Sequence, residues 1–281
     1  MKRFRKFFVE ITNECGRSCP FCPKTRRPPQ TMDVALFQRI LLEASPYTEE
    51  LYFHVMGEPL RHPELGRFLD LSRERGFRVK IVTSGDRIAE LGGMLASKPA
   101  LRQVSFSLHG IEGEGALAPI LRFARQASGG GIGIYLRFWS LDENGALPER
   151  DRRLLEAVLR EFGRGALPPL GGKAVELAPR VHLSSMARFE WPSLDPSLRP
   201  EDGTCPGMTR QAAVLAGGEV VPCCLDKDGV MSLGNIRERP LKELLESERA
   251  RAIVQGFRSR KPAEELCRRC TYKRRFKRPP P

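Results

Sequence analysis

Two tryptophans, four tyrosines and four histidines are few for a chain of 281 residues. With so little aromatic surface, and no interleaving of basic with aromatic residues, nothing in the sequence resembles a base-stacking platform for nucleic acid. No stretch approaches eighteen uninterrupted apolar residues, which excludes a long apolar membrane-spanning segment. Met1-Lys2-Arg3-Phe4-Arg5-Lys6 is basic but is followed by no apolar signal core or cleavage site, so a soluble, cytoplasmic protein without a membrane partner is expected. Acidic residues are also in deficit: 34 Asp and Glu stand against 47 Lys and Arg, a formal charge of +13. Most of the excess is arginine, and it points either to an anionic partner such as RNA or to a general compositional bias. No internal repeat is present.

Cysteine is not scarce, but its eight residues are gathered in two groups rather than spread as a disulfide lattice. In a chain of this size that favours metal binding in a reducing compartment. The first group is Cys15, Cys19 and Cys22, at CxxxCxxC spacing within Asn13-Glu14-Cys15-Gly16-Arg17-Ser18-Cys19-Pro20-Phe21-Cys22-Pro23. It directly follows the β-type run 7–12, so the cysteines occupy a loop at a strand's C-terminal end, where ligand sites of α/β folds collect. Three thiolates can hold three irons of a [4Fe-4S] cube and leave the fourth iron open to a small molecule. A zinc finger would need a fourth Cys or His close by, and none follows before His54.

Downstream, helical and strand periods alternate. Strands are expected at 51–56, 79–83, 104–109, 132–139 and 174–177, and helices at 32–44, 63–76, 87–97, 116–127 and 148–162. This alternation predicts a parallel sheet with right-handed crossovers, closed most naturally as a partial (β/α)6 TIM-like barrel with its chemistry at the C-terminal rim. Residues 188–202 carry Trp191-Pro192 and Pro196 without any period and read as a boundary. Beyond it the pattern changes to a β-hairpin at 208–224 and a charged amphipathic helix at 240–257. The division expected is 1–190, 191–270 and a basic, poorly ordered tail at 271–281.

The second cysteine group is Cys205, Cys223, Cys224, Cys267 and Cys270. Four of these thiolates, from the hairpin and a later CxxC, form a complete tetrahedral set, for zinc or for an iron-sulfur cube.

CxxxCxxC with Phe21 between its last two cysteines, directly after the first strand, resembles the radical S-adenosylmethionine (SAM) superfamily. Met56-Gly57-Glu58-Pro59, at the end of the second strand, resembles that family's GGE motif, with Met56 in place of the first glycine. The second group, followed by Leu233-Gly234-Asn235-Ile236 and 240–244, resembles the twitch form of the SPASM auxiliary-cluster domain. The resemblance implies one [4Fe-4S] cluster on Cys15, Cys19 and Cys22 and an auxiliary [4Fe-4S] cluster on Cys205, Cys223, Cys267 and Cys270, with Cys224 spare. It implies SAM held by Phe21, Gly57, Glu58 and Pro59, with Ser84, Ser107, His109 and Arg137 as further contacts. Arg137 also stands inside an apolar strand, where an uncompensated charge is costly. His54 and His182 read as structural, and Arg180 as a residue that can face substrate at the rim.

The expected activity is that of a twitch-type radical SAM oxidoreductase. SAM is cleaved reductively to a 5'-deoxyadenosyl radical, substrate hydrogen is abstracted, and the auxiliary cluster accepts an electron in an oxidation or cross-linking of a peptide or small molecule. Flavodoxin or ferredoxin would supply electrons. The alternatives are radical SAM modification of RNA and a non-catalytic cysteine-metal protein that binds nucleic acid.

Overall fold

The computed structural model describes residues 2–276. These residues form two compact units, one within Met1–Gly57, Glu74–Phe77 and Phe189–Pro281, the other within Glu58–Arg73 and Arg78–Arg188.

In the first unit, β1 (Lys6–Val9) leads through the cysteine loop to α1 (Val34–Ala44) and β2 (Glu50–Phe53). Helix α1 starts where Asp33 accepts a hydrogen bond from the Leu36 backbone N–H, satisfying one of the unpaired donors of the first turn. Leu36, Phe37, Ile40, Leu41 and Ala44 recur at helical spacing and are all buried. Phe37 meets Phe53 of β2 edge to face, with ring centroids 5.6 Å apart. Each such buried ring contributes roughly 1.5–3 kcal/mol of transfer free energy.

The second unit carries α2 (Leu65–Glu74), β3 (Arg78–Thr83), α3 (Ile88–Ala96), β4 (Leu101–Ser107), α4 (Gly113–Gly129), β5 (Gly133–Leu141), α5 (Glu149–Glu161), β6 (Val175–Ala178) and β7 (Val181–Ala187). Strands β3, β4, β5 and β7 are parallel neighbours in that order. On β5 the side chains alternate strictly: Ile134, Leu136 and Phe138 are buried, whereas Tyr135, Arg137 and Trp139 share the other, half-buried face.

The sixth strand departs from expectation. Residues 175–178 do form a strand, but it runs antiparallel to β7, and it is β7 that continues the parallel order. Pro179 and Arg180 make the turn between them, Arg180 with φ +64°. Arg180 therefore lies at the N-terminal end of β7, away from the C-terminal rim where the sequence analysis put it. Its guanidinium donates to the Gly131 carbonyl, just before β5.

The remaining elements return to the first unit: β8 (Gln211–Val214), β9 (Val220–Val221), α6 (Leu241–Leu245), α7 (Glu248–Arg258) and α8 (Glu265–Arg268). The expected hairpin is present, and β8 also pairs in parallel with β1, Phe8 opposite Ala213. The single helix expected at 240–257 is two helices. The Ser247 hydroxyl accepts from the Ala250 N–H and caps α7, which ends α6 before it. Residues 271–275, expected as tail, form a 3-10 turn in which Lys273 is buried; residues 277–281 lie outside the described residues. Among the described residues no helix is long and apolar enough to cross a membrane.

Candidate functional site

The first cysteine group lies in a loop whose neck is closed by backbone and side-chain hydrogen bonds. Thr12 bridges Thr31, the Asn13 amide donates to the Pro28 carbonyl at 2.8 Å, and its oxygen accepts from the Gln30 N–H at 2.8 Å. Within the loop, Gly16 takes φ +65° and the Cys22 N–H donates to the Cys19 carbonyl at 3.0 Å. Cys15, Cys19, Phe21 and Cys22 are half-buried, so the thiols are shielded without being sealed in.

Beneath this loop is a carboxylate the sequence analysis passed over. Glu10 is fully buried, and Arg27 donates to its Oε1 at 2.6 Å. The same oxygen accepts from the Met56 N–H at 3.0 Å, and Oε2 accepts from the Ala216 N–H at 3.0 Å. Arg27 Nε donates to the Lys227 carbonyl, Thr25 Oγ1 reaches Asp228 Oδ1, and the Arg26 N–H donates to the same carboxylate. One buried acid thus ties together the cysteine loop, the turn after β2 and the β8–β9 turn. A charged residue flanked by Phe7, Phe8, Val9 and Ile11 was the available signal, the same signal that singled out Arg137.

Gly57 sits in that turn with φ +74°, and a Cβ there would stand 2.2 Å from the Thr12 carbonyl oxygen. Only glycine brings this backbone against the start of the cysteine loop.

In the second unit Glu58 is buried and already engaged. Its carboxylate accepts from Thr83 Oγ1, from Ser84 N–H and Oγ at 2.7 Å each, and from the Leu60 N–H at 3.1 Å, the last capping the 3-10 turn that Pro59 opens. Burial pushes its pKa upward. The carboxylate that the resemblance assigns to SAM is thus anchored at the end of β3 through Thr83 and Ser84. Ser107 and Arg137 stand opposite each other across β4 and β5, and Ser184 of β7 extends the row. The Arg137 guanidinium lies 3.5 Å over the Trp139 ring. One row away, Tyr135 stacks on His182 with centroids 4.8 Å apart. Burial, reinforced by Arg137, pushes His109 down to about 4, so its imidazole is neutral at physiological pH.

The second cysteine group converges. Cys205, Cys223, Cys267 and Cys270 all border one cavity of the first unit, walled mainly by apolar side chains including Leu225, Met231, Phe257 and Leu266. Cys224 does not; with Cys22 it packs against the cluster of Phe8, Val55, Met56, Ala213, Leu215 and Val221. Burial pushes the Cys205 thiol up to about 12 and raises Cys223, Cys267 and Cys270. Such thiols are inert as nucleophiles, and their deprotonation must be driven by a metal centre. Among the described residues no three His, Cys, Asp or Glu side chains converge tightly enough for a single ion. The four thiols border a shared cavity, a complete donor set for a tetrahedral ion or for an iron-sulfur cube. Thr204, next to Cys205 in the chain, is fully buried, and its hydroxyl has no hydrogen-bond partner among the described residues. Asp226, buried, accepts from the Val230 and Met231 N–H groups, and the Cys267 thiol contacts the Met231 sulfur at 3.4 Å.

Comparison with known proteins agrees with both cysteine groups. Residues 9–130 match the radical SAM superfamily, and residues 205–271 match SPASM, an iron-sulfur cluster-binding domain. Over 280 residues, 96% of this chain and 93% of the relative, the sequence is 21% identical to the S-adenosyl-L-methionine-dependent 2-deoxy-scyllo-inosamine dehydrogenase of Niallia circulans. It is 37% identical over 90 residues to the tungsten-containing aldehyde ferredoxin oxidoreductase cofactor-modifying protein of Pyrococcus furiosus, a match spanning 24% of that relative. Its fold is similar to that of BtrN in complex with AdoMet and 2-DOIA, with TM-score 0.59, 20% identity and coverage of 96% and 94% of the two chains. Streptococcus suis SuiB bound to precursor peptide SuiA gives TM-score 0.63 at 13% identity, covering 91% of this chain and 68% of that one. The α/β fold is thus that of radical SAM partial barrels, whose family binds SAM and a [4Fe-4S] cluster, while SPASM domains bind additional iron-sulfur clusters. The chain thus carries a radical SAM match over residues 9–130 and a SPASM match over residues 205–271, toward its C-terminal side.

Proposed function

We propose that this protein is an oxidoreductase that removes hydrogen from a peptide or small-molecule substrate and passes an electron to an auxiliary cluster. The observation that carries this reading is the set of Cys205, Cys223, Cys267 and Cys270 around one mostly apolar cavity, a complete ligand set in addition to the open three-cysteine set. Cys15, Cys19 and Cys22 would hold the SAM-binding [4Fe-4S] cluster, and the other four the auxiliary one. When bound and reduced, the first cluster and SAM supply methionine and a 5'-deoxyadenosyl radical that abstracts hydrogen.

The chain's own residues position and shield this chemistry. Gly57 brings the turn's backbone against the cysteine loop, and the Glu58 carboxylate orients Ser84 through two hydrogen bonds. Ser107, Arg137 and Ser184 give one strand face a row of donors for the polar parts of SAM or substrate, and neutral His109 adds a hydrogen-bonding group without charge. The apolar wall around the four thiols keeps water from that centre.

Oxidation of a small hydroxyl-bearing molecule is favoured by the similarity to a dehydrogenase along nearly the whole chain. A peptide substrate is favoured by the likeness to SuiB and to anSMEcpe, solved with the peptides SuiA and Cp18Cys. An RNA substrate gains less support, because Arg268 and Arg269 engage Glu265 and Arg274 engages Glu201. A flavodoxin or ferredoxin in the cytoplasm is the electron donor we propose.

Anaerobic reconstitution tests the reading. About eight irons per chain are expected from two cubes, falling to about four when Cys15, Cys19 and Cys22 are replaced by alanine. With dithionite, the reconstituted protein should release 5'-deoxyadenosine from SAM. Stoichiometric zinc with a single cube would remove the auxiliary cluster and, with it, the proposed oxidation.

A further inference from the structure

Among the described residues, the cavity bordered by the four thiols has one formally charged side chain in its lining, Lys273. Counted by sequence among the basic residues of a tail, it is 3% exposed. Its ammonium donates to the carbonyl oxygens of Arg268 at 2.7 Å and Cys270 at 3.0 Å, which use two of its three donors. The stem runs over Gly203, at φ +147°, where a Cβ would stand 3.2 Å from Lys273 Cδ. The nearby acid, Glu201, is engaged by Arg274 at 3.0 Å, and no carboxylate among the described residues forms an ion pair with Lys273.

A buried ammonium without a carboxylate is expensive unless another negative group compensates it. Here the candidates are the sulfurs themselves. A cube held by four thiolates carries net negative charge when oxidised and one charge more when reduced, and cluster potentials follow local charge and burial. A fixed cation at its edge favours the more negative, reduced state, and the apolar wall weakens screening of that attraction.

We propose that Lys273 is the built-in counter-charge of the auxiliary cluster and raises its reduction potential, which makes that cluster a better acceptor of the electron leaving the substrate. This rests on the assignment of Cys205, Cys223, Cys267 and Cys270 as cluster ligands. Gly203 belongs to the same device, since its missing side chain lets the lysine stem enter.

The test uses the full chain with Cys15, Cys19 and Cys22 replaced by alanine, so that only the auxiliary cube remains, and follows its reduction by electron paramagnetic resonance during a redox titration. Lys273→Met and Lys273→Gln remove the charge, and Lys273→Arg keeps it. In the neutral variants the reduced-to-oxidised ratio at a fixed applied potential should fall about tenfold or more, a shift of about 59 mV for a one-electron couple. Lys273→Arg should titrate close to the parent. Failure of both neutral variants to take up iron, with uptake retained by Lys273→Arg, also supports the counter-charge. An unchanged midpoint in a neutral variant with its full iron would overturn the proposal, as would loss of iron in all three. A parent that binds zinc and no iron would instead overturn the ligand assignment beneath it, before any lysine variant is compared.

Discussion

The Arg27 guanidinium meets the fully buried Glu10 carboxylate at 2.6 Å, and the two oxygens of that carboxylate also hold the Met56 and Ala216 N–H groups. Removing one partner of a buried pair leaves a charge stranded, so Glu10→Ala should destabilise the protein by about 3–5 kcal/mol. The cost of Glu10→Ala with Arg27→Met should fall short of the sum of the two single variants by about 1 kcal/mol or more. Denaturant unfolding of all four proteins measures this; strict additivity would mean the pair is not coupled.

Gly57→Ala faces two penalties, a positive φ and a Cβ 2.2 Å from the Thr12 carbonyl oxygen. The turn must move off the cysteine loop. SAM affinity, measured by equilibrium dialysis on protein of full iron content, should drop about tenfold or more, the equivalent of about 1.4 kcal/mol. Affinity equal to the parent's would show that the turn does not hold SAM.

For Glu58 the hydrogen bonds predict a graded response. Glu58→Ala leaves the donors of Thr83, Ser84 and Leu60 without their acceptor, at about 1–3 kcal/mol for each that stays buried. Glu58→Gln keeps one acceptor oxygen and should lose distinctly less stability in thermal or chemical unfolding. Any change in SAM binding should track that loss. Weak SAM binding by a fully stable Glu58→Gln would instead indicate direct contact between the carboxylate and SAM.

His109 makes stability pH-dependent in a defined window. Its folded-state value is about 4 against an ordinary 6.5, with burial the larger cause and Arg137 the next. Between those values only the unfolded chain takes up the proton. The contribution is therefore complete above pH 6.5 and is lost as pH falls through about 4, with a maximum slope of about 1.4 kcal/mol per pH unit. The difference between wild type and His109→Gln, followed by denaturant unfolding from pH 7 to pH 4, should carry this slope. Parallel curves would show that His109 is solvated.

Local chemistry made much of this legible in the sequence. The CxxxCxxC loop after a strand, the four-cysteine set with one spare, and the βα alternation through residue 162 all depend on spacing and period, which are properties of neighbours along the chain. The reading was weaker where a local signal has two tertiary outcomes. Residues 174–177 have strand character, but strand direction depends on partners, and Arg180 moved to the other end of the sheet once β6 turned back on β7. A charged helix at 240–257 has an unbroken apolar stripe, yet a serine hydroxyl ends one helix and starts another.

What the sequence determined by itself was the chemistry available: two sets of thiols, one open and one complete, on an α/β scaffold. What the tertiary structure alone decided was which charges serve them. Glu10, Arg27 and Lys273 stand in the sequence as ordinary charged residues, Lys273 in a stretch read as tail. Burial changed their meaning, because a charge removed from water must find a partner, and those partners lie as far along the chain as Ala216 is from Glu10. The Glu10–Ala216 contact spans too much sequence for any local pattern to report it.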